Sequence, residues 1–331
     1  MRLNLKDPVN VAVIGAGYWG KKVICEYLAL AKDDPCTSLL RVCDVQEQNL
    51  RHCGETFQIP NNRLMNSYKE LLRLGDVDAV HICTPNETHY QICKEALIAG
   101  KHVLLEKPMT LNSGQAFELM DLAEKEDLVL QVGYIFRFNN ALREARKMIK
   151  NEFFGDLYYL RFQWTDLIHP SPDRDIVFDL GPHPVDIMNF LLGMWPSKVS
   201  CRAGAYTREK LPEIAYASVQ LDGKIMANIE LSWLHPKKER LVSIIGSKRS
   251  GLVDCLNQSL EFFENHGENG FKIDLQKNNT ILAELKHFEE RIRGGGFSVN
   301  GGPIGPMNVL VLENMNLSLV EERTVKVNRQ R

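Results

Sequence analysis

The first third of the chain alternates short apolar runs with stretches in which apolar residues recur every three or four positions. Runs at 11–14, 39–43, 78–83, 102–105 and 128–132 have strand length. Segments at 19–30, 67–74, 88–99 and 113–125 have helical spacing, with Gly100 placed to stop the third of them. Apolar strands that alternate with helices build a parallel sheet covered on both faces. A doubly wound α/β domain is therefore expected over residues 1–133.

Beyond residue 134 the period changes. A helix is expected at 141–150, and apolar and polar residues then alternate at 157–164, 198–206, 215–221, 225–234 and 241–245. Alternation with a period of two specifies an antiparallel or mixed sheet with one face solvated or covered by a partner. Helices at 281–293 and 307–319 flank the glycine-rich stretch GGGFSVNGGPIGP, and a last strand is expected at 324–327. Residues 134–331 are thus expected to form a second α/β domain with a large, mostly antiparallel open sheet.

Composition narrows the function without naming it. At 331 residues the chain is long enough for two cores. Its 40 basic and 42 acidic residues leave a net charge of −2 and no long run of either sign, which removes nucleic acid and anionic membranes as expected partners. Eight cysteines occur with no C-x-x-C pair, so reduced, mostly buried thiols are expected and no metal site. MRLNLKDPVN lacks the apolar segment of a secretion signal and no run is long enough to span a bilayer, which points to the cytoplasm.

Chemistry concentrates at the ends of the expected strands. VAVIGAGYWG carries Gly15, Gly17 and Gly20 between strand and helix, where a first glycine makes the turn, a second admits a pyrophosphate and a third lets helix meet strand. Tyr18 and Trp19 lie inside the motif. Asp44 closes the second strand 24 residues past Gly20, where an acid grips the adenosine ribose and repels a 2′-phosphate. The expected cofactor of this Rossmann pattern is accordingly NAD in preference to NADP. The third strand ends in CTPNETH, which puts Thr84, Asn86 and His89 at the same edge, with Thr88 able to cap the following helix. The fourth ends in LLEKP, where Glu106 and Lys107 precede a proline that keeps the lysine backbone extended.

In the second domain FDLGPHPVDIM sets Asp179 four positions before His183, with Pro182 and Pro184 suited to the first turn of a helix that Gly193 ends. On a helical path the two side chains share a face. An imidazole accepts protons near neutral pH, and a helix N-terminus favours its neutral form. A lone Asp–His pair is commonly a helix cap beside a polar residue; the glycine turn and Lys107 in the same chain turn the pair into candidate catalytic groups.

GAGYWG, TPNETH, LLEKP, VGYIFRFN and DLGPHPVD, in this order from about residue 11 to residue 233, resemble the Gfo/Idh/MocA family of oxidoreductases. QVGYIFRFNNALRE and NIELSWLHP are most similar to its UDP-N-acetylglucosamine 3-dehydrogenase branch. The resemblance implies a nicotinamide cofactor, a sugar, polyol or nucleotide-sugar hydroxyl as hydride source, and a homodimer or homotetramer built through the C-terminal sheet. It also implies Lys107, Asp179 and His183 as the catalytic trio, with a lysine–proline bond that is cis in some members. His183 would act as general base, and Lys107 would stabilise the reacting oxygen. Arg137, Asn139 and Arg174 are expected at the substrate, and Arg137, Arg174, Lys237, Lys238 and Arg240 are the basic groups available to a diphosphate. A sugar-hydroxyl dehydrogenase acting on carbon 3 of a UDP-N-acetylhexosamine leads. An NAD-assisted glycosidase and a non-catalytic NAD-binding sensor are the alternatives.

Overall fold

Six residues, Val9–Ile14, all apolar but Asn10, form the first strand (β1), buried along nearly its whole length, and the chain turns at Gly15 into the helix Tyr18–Asp33 (α1). The computed structural model describes residues 8–33, 37–168, 174–209, 211–221, 223–264, 270–294 and 298–328. Two compact units emerge: residues 1–135 with 280–306, and residues 136–279 with 307–331.

The first unit continues through β2 (Thr37–Cys43), α2 (Glu47–Phe57), β3 (Leu64–Met65), α3 (Tyr68–Leu72), β4 (Ala79–Ile82), α4 (His89–Ile98), β5 (His102–Leu105), α5 (Ser113–Lys125) and β6 (Leu130–Val132). Among the described residues the sheet has six strands in the order β3-β2-β1-β4-β5-β6, all parallel. This is the doubly wound order in which strand succession reverses between β1 and β4, and ligands bind at the carboxyl ends beside that reversal. Helix α2 escapes the hydrophobic pattern because only Leu50 and Cys53 of its eleven residues are buried.

The second unit holds α6 (Asn140–Lys150), β7 (Leu157–Leu167), α7 (Ile176–Leu180), α8 (Pro182–Leu192), β8 (Pro196–Gly204), β9 (Ile214–Leu221), β10 (Met226–Ser232), β11 (Leu234–Gly246), β12 (Arg249–Asp254), β13 (Ser259–Glu264) and β14 (Gly270–Ile273). After it come α9 (Thr280–Ile292), α10 (Ile304–Glu321) and β15 (Val325–Lys326). Among the described residues its sheet has nine strands, in the order β14-β13-β12-β11-β7-β10-β9-β8-β15, antiparallel except where β10 pairs with β7. Leu160, Phe162 and Trp164 of β7, Val242 and Ile244 of β11, and Ile229 and Leu231 of β10 are fully buried on one face. Tyr159, Tyr216, Met226 and Leu252 are exposed on the other, as a period of two requires.

One segment departs from the expectation that everything after residue 134 belongs to the second domain. Residues 280–306 pack with the first unit: Leu285, Phe288 and Ile292 of α9 enter the core made by β1 and α1, and Asn300 donates to the Val132 carbonyl and to Glu284. Residues 295–297 of the glycine-rich stretch, like Cys36, lie outside the described residues. The seven described cysteines are free thiols. No described helix is long and apolar enough to cross a membrane.

The loop between β8 and β9 is organised by Glu213. Its carboxylate accepts the N–H groups of Tyr206 and Thr207 at 2.8 and 2.7 Å and the Thr207 hydroxyl, while its own carbonyl takes the Trp233 N–H. Burial opposes the charge, but the Thr207 hydroxyl and the N–H groups of Thr207, Tyr206 and Arg208 outweigh it and hold the carboxyl down at about 2. Against an ordinary value of 4.5, this depressed folded-state value contributes stability that is complete above pH 4.5 and is lost as pH falls through about 2. Urea unfolding of wild type and Glu213→Gln should therefore show a constant stability gap above pH 4.5 that narrows as pH falls further; a gap independent of pH would contradict the assignment.

Candidate active site

Three glycines meet three different demands at the end of β1. Gly15 has φ +96°, and a Cβ there would stand 2.6 Å from the Cys83 carbonyl oxygen at the end of β4. A Cβ on Gly20 would fall 1.9 Å from the Gly15 carbonyl oxygen, so α1 meets the turn without a side chain between them. Gly17 has nothing within 4 Å of its would-be Cβ, which leaves open backbone at a helix N-terminus, where a pyrophosphate fits. Asp44 fastens this turn from the end of β2: its Oδ2 accepts the Ala16 N–H at 2.7 Å and its Oδ1 the Gln46 N–H at 2.8 Å. Tyr18 is 79% exposed, with the Lys22 ammonium 4.4 Å from its ring centre.

Glu106 is the hub of the same edge. Its Oε1 accepts the indole N–H of Trp19 and lies 3.3 Å from His81 Nε2, and the Lys107 N–H points to Oε2 at 3.4 Å. A Cβ on Gly133, just past β6, would sit 2.8 Å from that second oxygen. Beside it stands Lys107, half-buried, joined to Pro108 by a cis peptide bond. His81, Cys83 and Glu106 place one potential ligand atom each within 4.8 Å of one another. Burial and the carboxylates of Glu106 and Glu284 push the Cys83 thiol well above its ordinary value, so the group as it stands is a thiol beside a carboxylate–imidazole contact.

Two expectations at the β4 edge change. His89 is only 1% exposed, and both ring nitrogens face backbone carbonyls, so it is an internal tie and not a cofactor contact. Thr88 does not cap α4; its hydroxyl bonds to Thr84 Oγ1 and to the Pro85 carbonyl. Thr84 and Asn86 are half-buried at the carboxyl edge.

In the second unit Asp179 and His183 lie on two successive helices that share one helical path. Asp175 caps α7 by accepting the Val177 and Phe178 N–H groups, and Gly181 joins α7 to α8 in helical geometry. A side chain at Gly181 would meet the Val177 carbonyl at 2.4 Å. Pro182 opens α8, where an absent N–H costs nothing. The Asp179 carboxylate accepts the Trp233 indole N–H at 3.3 Å and lies 3.5 Å from Arg174 Nη1. The half-buried His183 ring sits edge-on to Phe136, with centroids 4.9 Å apart at 82°, and tilted against Trp164 at 6.2 Å. Aromatic neighbours of this kind fix a ring plane.

Two expected substrate contacts prove internal. Arg137 is buried, with Nε 2.7 Å from Asp186 Oδ1 and Nη2 2.8 Å from Asn189 Oδ1, so it pins α8 from within. Asn139 caps α6 through the Ala141 and Leu142 N–H groups and donates to the Cys255 carbonyl. Sequence reasoning passed over Phe136, Trp164 and Trp233, whose rings frame His183 and Asp179, and Arg208, which stacks on Trp233 and donates to the Arg174 carbonyl. Alternation along β7 already marks Trp164 as inward-facing; nothing local marks Arg208. Arg240, nearly buried, bonds the Thr165 and Glu239 carbonyls and pairs with Asp166, as does Lys238.

Residues 9–134 match the GFO/IDH/MocA oxidoreductase model, described as an NAD-binding Rossmann fold, and residues 142–250 match a GFO/IDH/MocA C-terminal domain. UDP-N-acetylglucosamine 3-dehydrogenase of Acidithiobacillus ferrooxidans is 29% identical over 289 residues, covering 85% of this chain and 87% of that protein. Its solved structure aligns with a TM-score of 0.83 at 26% identity, over 94% of this chain and 98% of that one. Myo-inositol 2-dehydrogenase of Thermotoga maritima is 24% identical, over 96% of this chain and 98% of that protein. The glycine turn, with Gly17 open and Asp44 fastened behind it, fits the NAD that the first model describes.

The three glycines should separate in measurement. Gly20→Ala should lower stability by about 3 kcal/mol, the upper end of overpacking costs, because backbone rather than a mobile side chain stands in the way. Gly17→Ala should leave the urea midpoint within about 0.5 kcal/mol yet weaken NAD binding about tenfold, a loss of ~1.4 kcal/mol. Equal effects of the two on stability would refute this division of labour.

Proposed function

Because the chain belongs to the Gfo/Idh/MocA oxidoreductase family and is a sugar-type dehydrogenase by its relatives, we propose that it oxidises a secondary hydroxyl of a nucleotide sugar, at carbon 3 of a UDP-N-acetylhexosamine. The observation that carries this reading is Lys107 at the carboxyl end of β5, on the same sheet edge as the open Gly17 turn. A ligand held at that turn extends along this edge, where a cation serves a developing oxyanion.

NAD, when bound, supplies the hydride acceptor. The open backbone at Gly17, in the turn that Gly15 and Gly20 shape, would receive its pyrophosphate at the head of α1, and Asp44 would take the adenosine ribose hydroxyls, a placement that disfavours a 2′-phosphate. Thr84 and Asn86 would line its path along the edge. His183 takes the proton from the substrate hydroxyl as the carbonyl forms, and Lys107 donates a hydrogen bond to the same oxygen as negative charge grows on it. Asp179, held by Trp233 and Arg174, accepts a hydrogen bond from a neighbouring sugar hydroxyl. Arg174, paired with that carboxylate, and Arg208, which donates to the Arg174 carbonyl, serve the diphosphate; Arg137 and Asn139 support the helices from inside. Exposed Tyr159, Tyr216, Met226 and Leu252 on one face of the nine-stranded sheet support self-association through that face.

The reading is tested by NADH formation on a panel of UDP-N-acetylglucosamine, UDP-glucose, myo-inositol and glucose. UDP-N-acetylglucosamine should be turned over best, with Lys107→Ala lowering kcat by about 10²–10³ and His183→Ala by about 10²–10⁴, both with NAD affinity nearly unchanged. Release of an aglycone without net NADH would replace the dehydrogenase with a glycosidase. Ligand binding without any turnover, indifferent to Lys107→Ala, would leave only a sensor.

A further inference from the structure

His89 presents a protonation problem set by two short contacts. Nδ1 lies 2.8 Å from the Pro108 carbonyl oxygen and Nε2 lies 2.9 Å from the Thr84 carbonyl oxygen. Carbonyl oxygens only accept, whereas a neutral imidazole has one N–H and one lone pair. A neutral ring would therefore set lone pair against lone pair at one of two short contacts. At 1% exposure the ring is cut off from solvent that might relieve the conflict. The doubly protonated ring donates at both ends.

Opposing influences act on that charge. Burial is the strongest of them and pulls the ring below its ordinary value, and the position of His89 as first residue of α4, where the helix dipole is positive, acts in the same direction. The Pro108 and Thr84 carbonyls and the carboxylates of Glu106 and Glu87 favour it. Bonds from a charged donor are the stronger kind, and here two of them end on fixed backbone oxygens.

We propose that His89 is a positioning residue: as an imidazolium bonded to Thr84 and Pro108, it locks the loop after β4 to the loop after β5 and so fixes where Lys107 stands. Thr84 follows β4, Pro108 directly follows Lys107, and α4 supplies the rigid base from which one ring reaches both. This inference rests on the role given to Lys107 above.

Two measurements decide it. Neutron diffraction from wild-type crystals at about pH 7.5, where an ordinary imidazole is neutral, should show deuterium on both Nδ1 and Nε2 of His89; a single deuterium overturns the charge assignment. Kinetically, His89→Gln should lower kcat at least about tenfold with NAD affinity within about twofold. In a Lys107→Ala background the same substitution should lower kcat no further, whereas independent, additive losses would show a merely structural role and overturn the proposal. If Lys107→Ala alone leaves kcat intact, it is the catalytic role of the lysine that fails; the neutron result still judges the ring.

Discussion

The carboxylate of Glu106 organises the reactive end of the first unit. It takes the Trp19 indole N–H from the head of the glycine-turn helix, meets His81 from β4 and receives the Lys107 N–H, so three structural elements converge on one buried group. A buried carboxylate with several donors rigidifies its neighbours, because leaving any donor unmatched in that environment is costly. Gly133 completes the arrangement by having no side chain where the carboxylate lies. The nucleotide turn and the lysine are thereby held as parts of one construction, and the glutamate of the EKP sequence acts within the protein first.

Asp44 performs the matching task on the far side of the turn, tying the end of β2 to the Ala16 N–H. Parallel order places the ends of β2, β1, β4 and β5 along one edge, so residues 44, 15, 84 and 107, far apart in the chain, share it. The second unit solves a different problem. Asp179 and His183 lie on separate helices, α7 and α8; Gly181 keeps helical geometry through the joint, and Asp175 supplies the cap that frees Asp179 from that duty. Phe136 and Trp164 then set the His183 ring.

Much of this was legible in the sequence where the signal is local. The glycine spacing, the apolar runs of β1, β4 and β5, and the Pro-His-Pro entry into a helix each rest on neighbours within a few residues. Signals failed where structure depends on distant partners. Helix α2 buries too little to show a stripe, and β13 and β14 are short and mostly part-exposed. The amphipathic pattern of α9 says that one face is buried but not against which core, and it joins the first unit. His89, Arg137 and Asn139 are polar residues beside functional motifs, a pattern identical for a ligand contact and an internal tie. Only the positions of the Pro108 and Thr84 carbonyls, Asp186 and Cys255 distinguish the two.

In the proposed reaction an ammonium from the EKP sequence and an imidazole from the second unit serve one sugar oxygen. A crystal structure with NAD and UDP-N-acetylglucosamine bound tests it most directly. The account predicts Lys107 Nζ and a ring nitrogen of His183 both within about 3.2 Å of the carbon 3 oxygen. A sugar whose reacting oxygen is reached by neither group, or by only one of them, would contradict it.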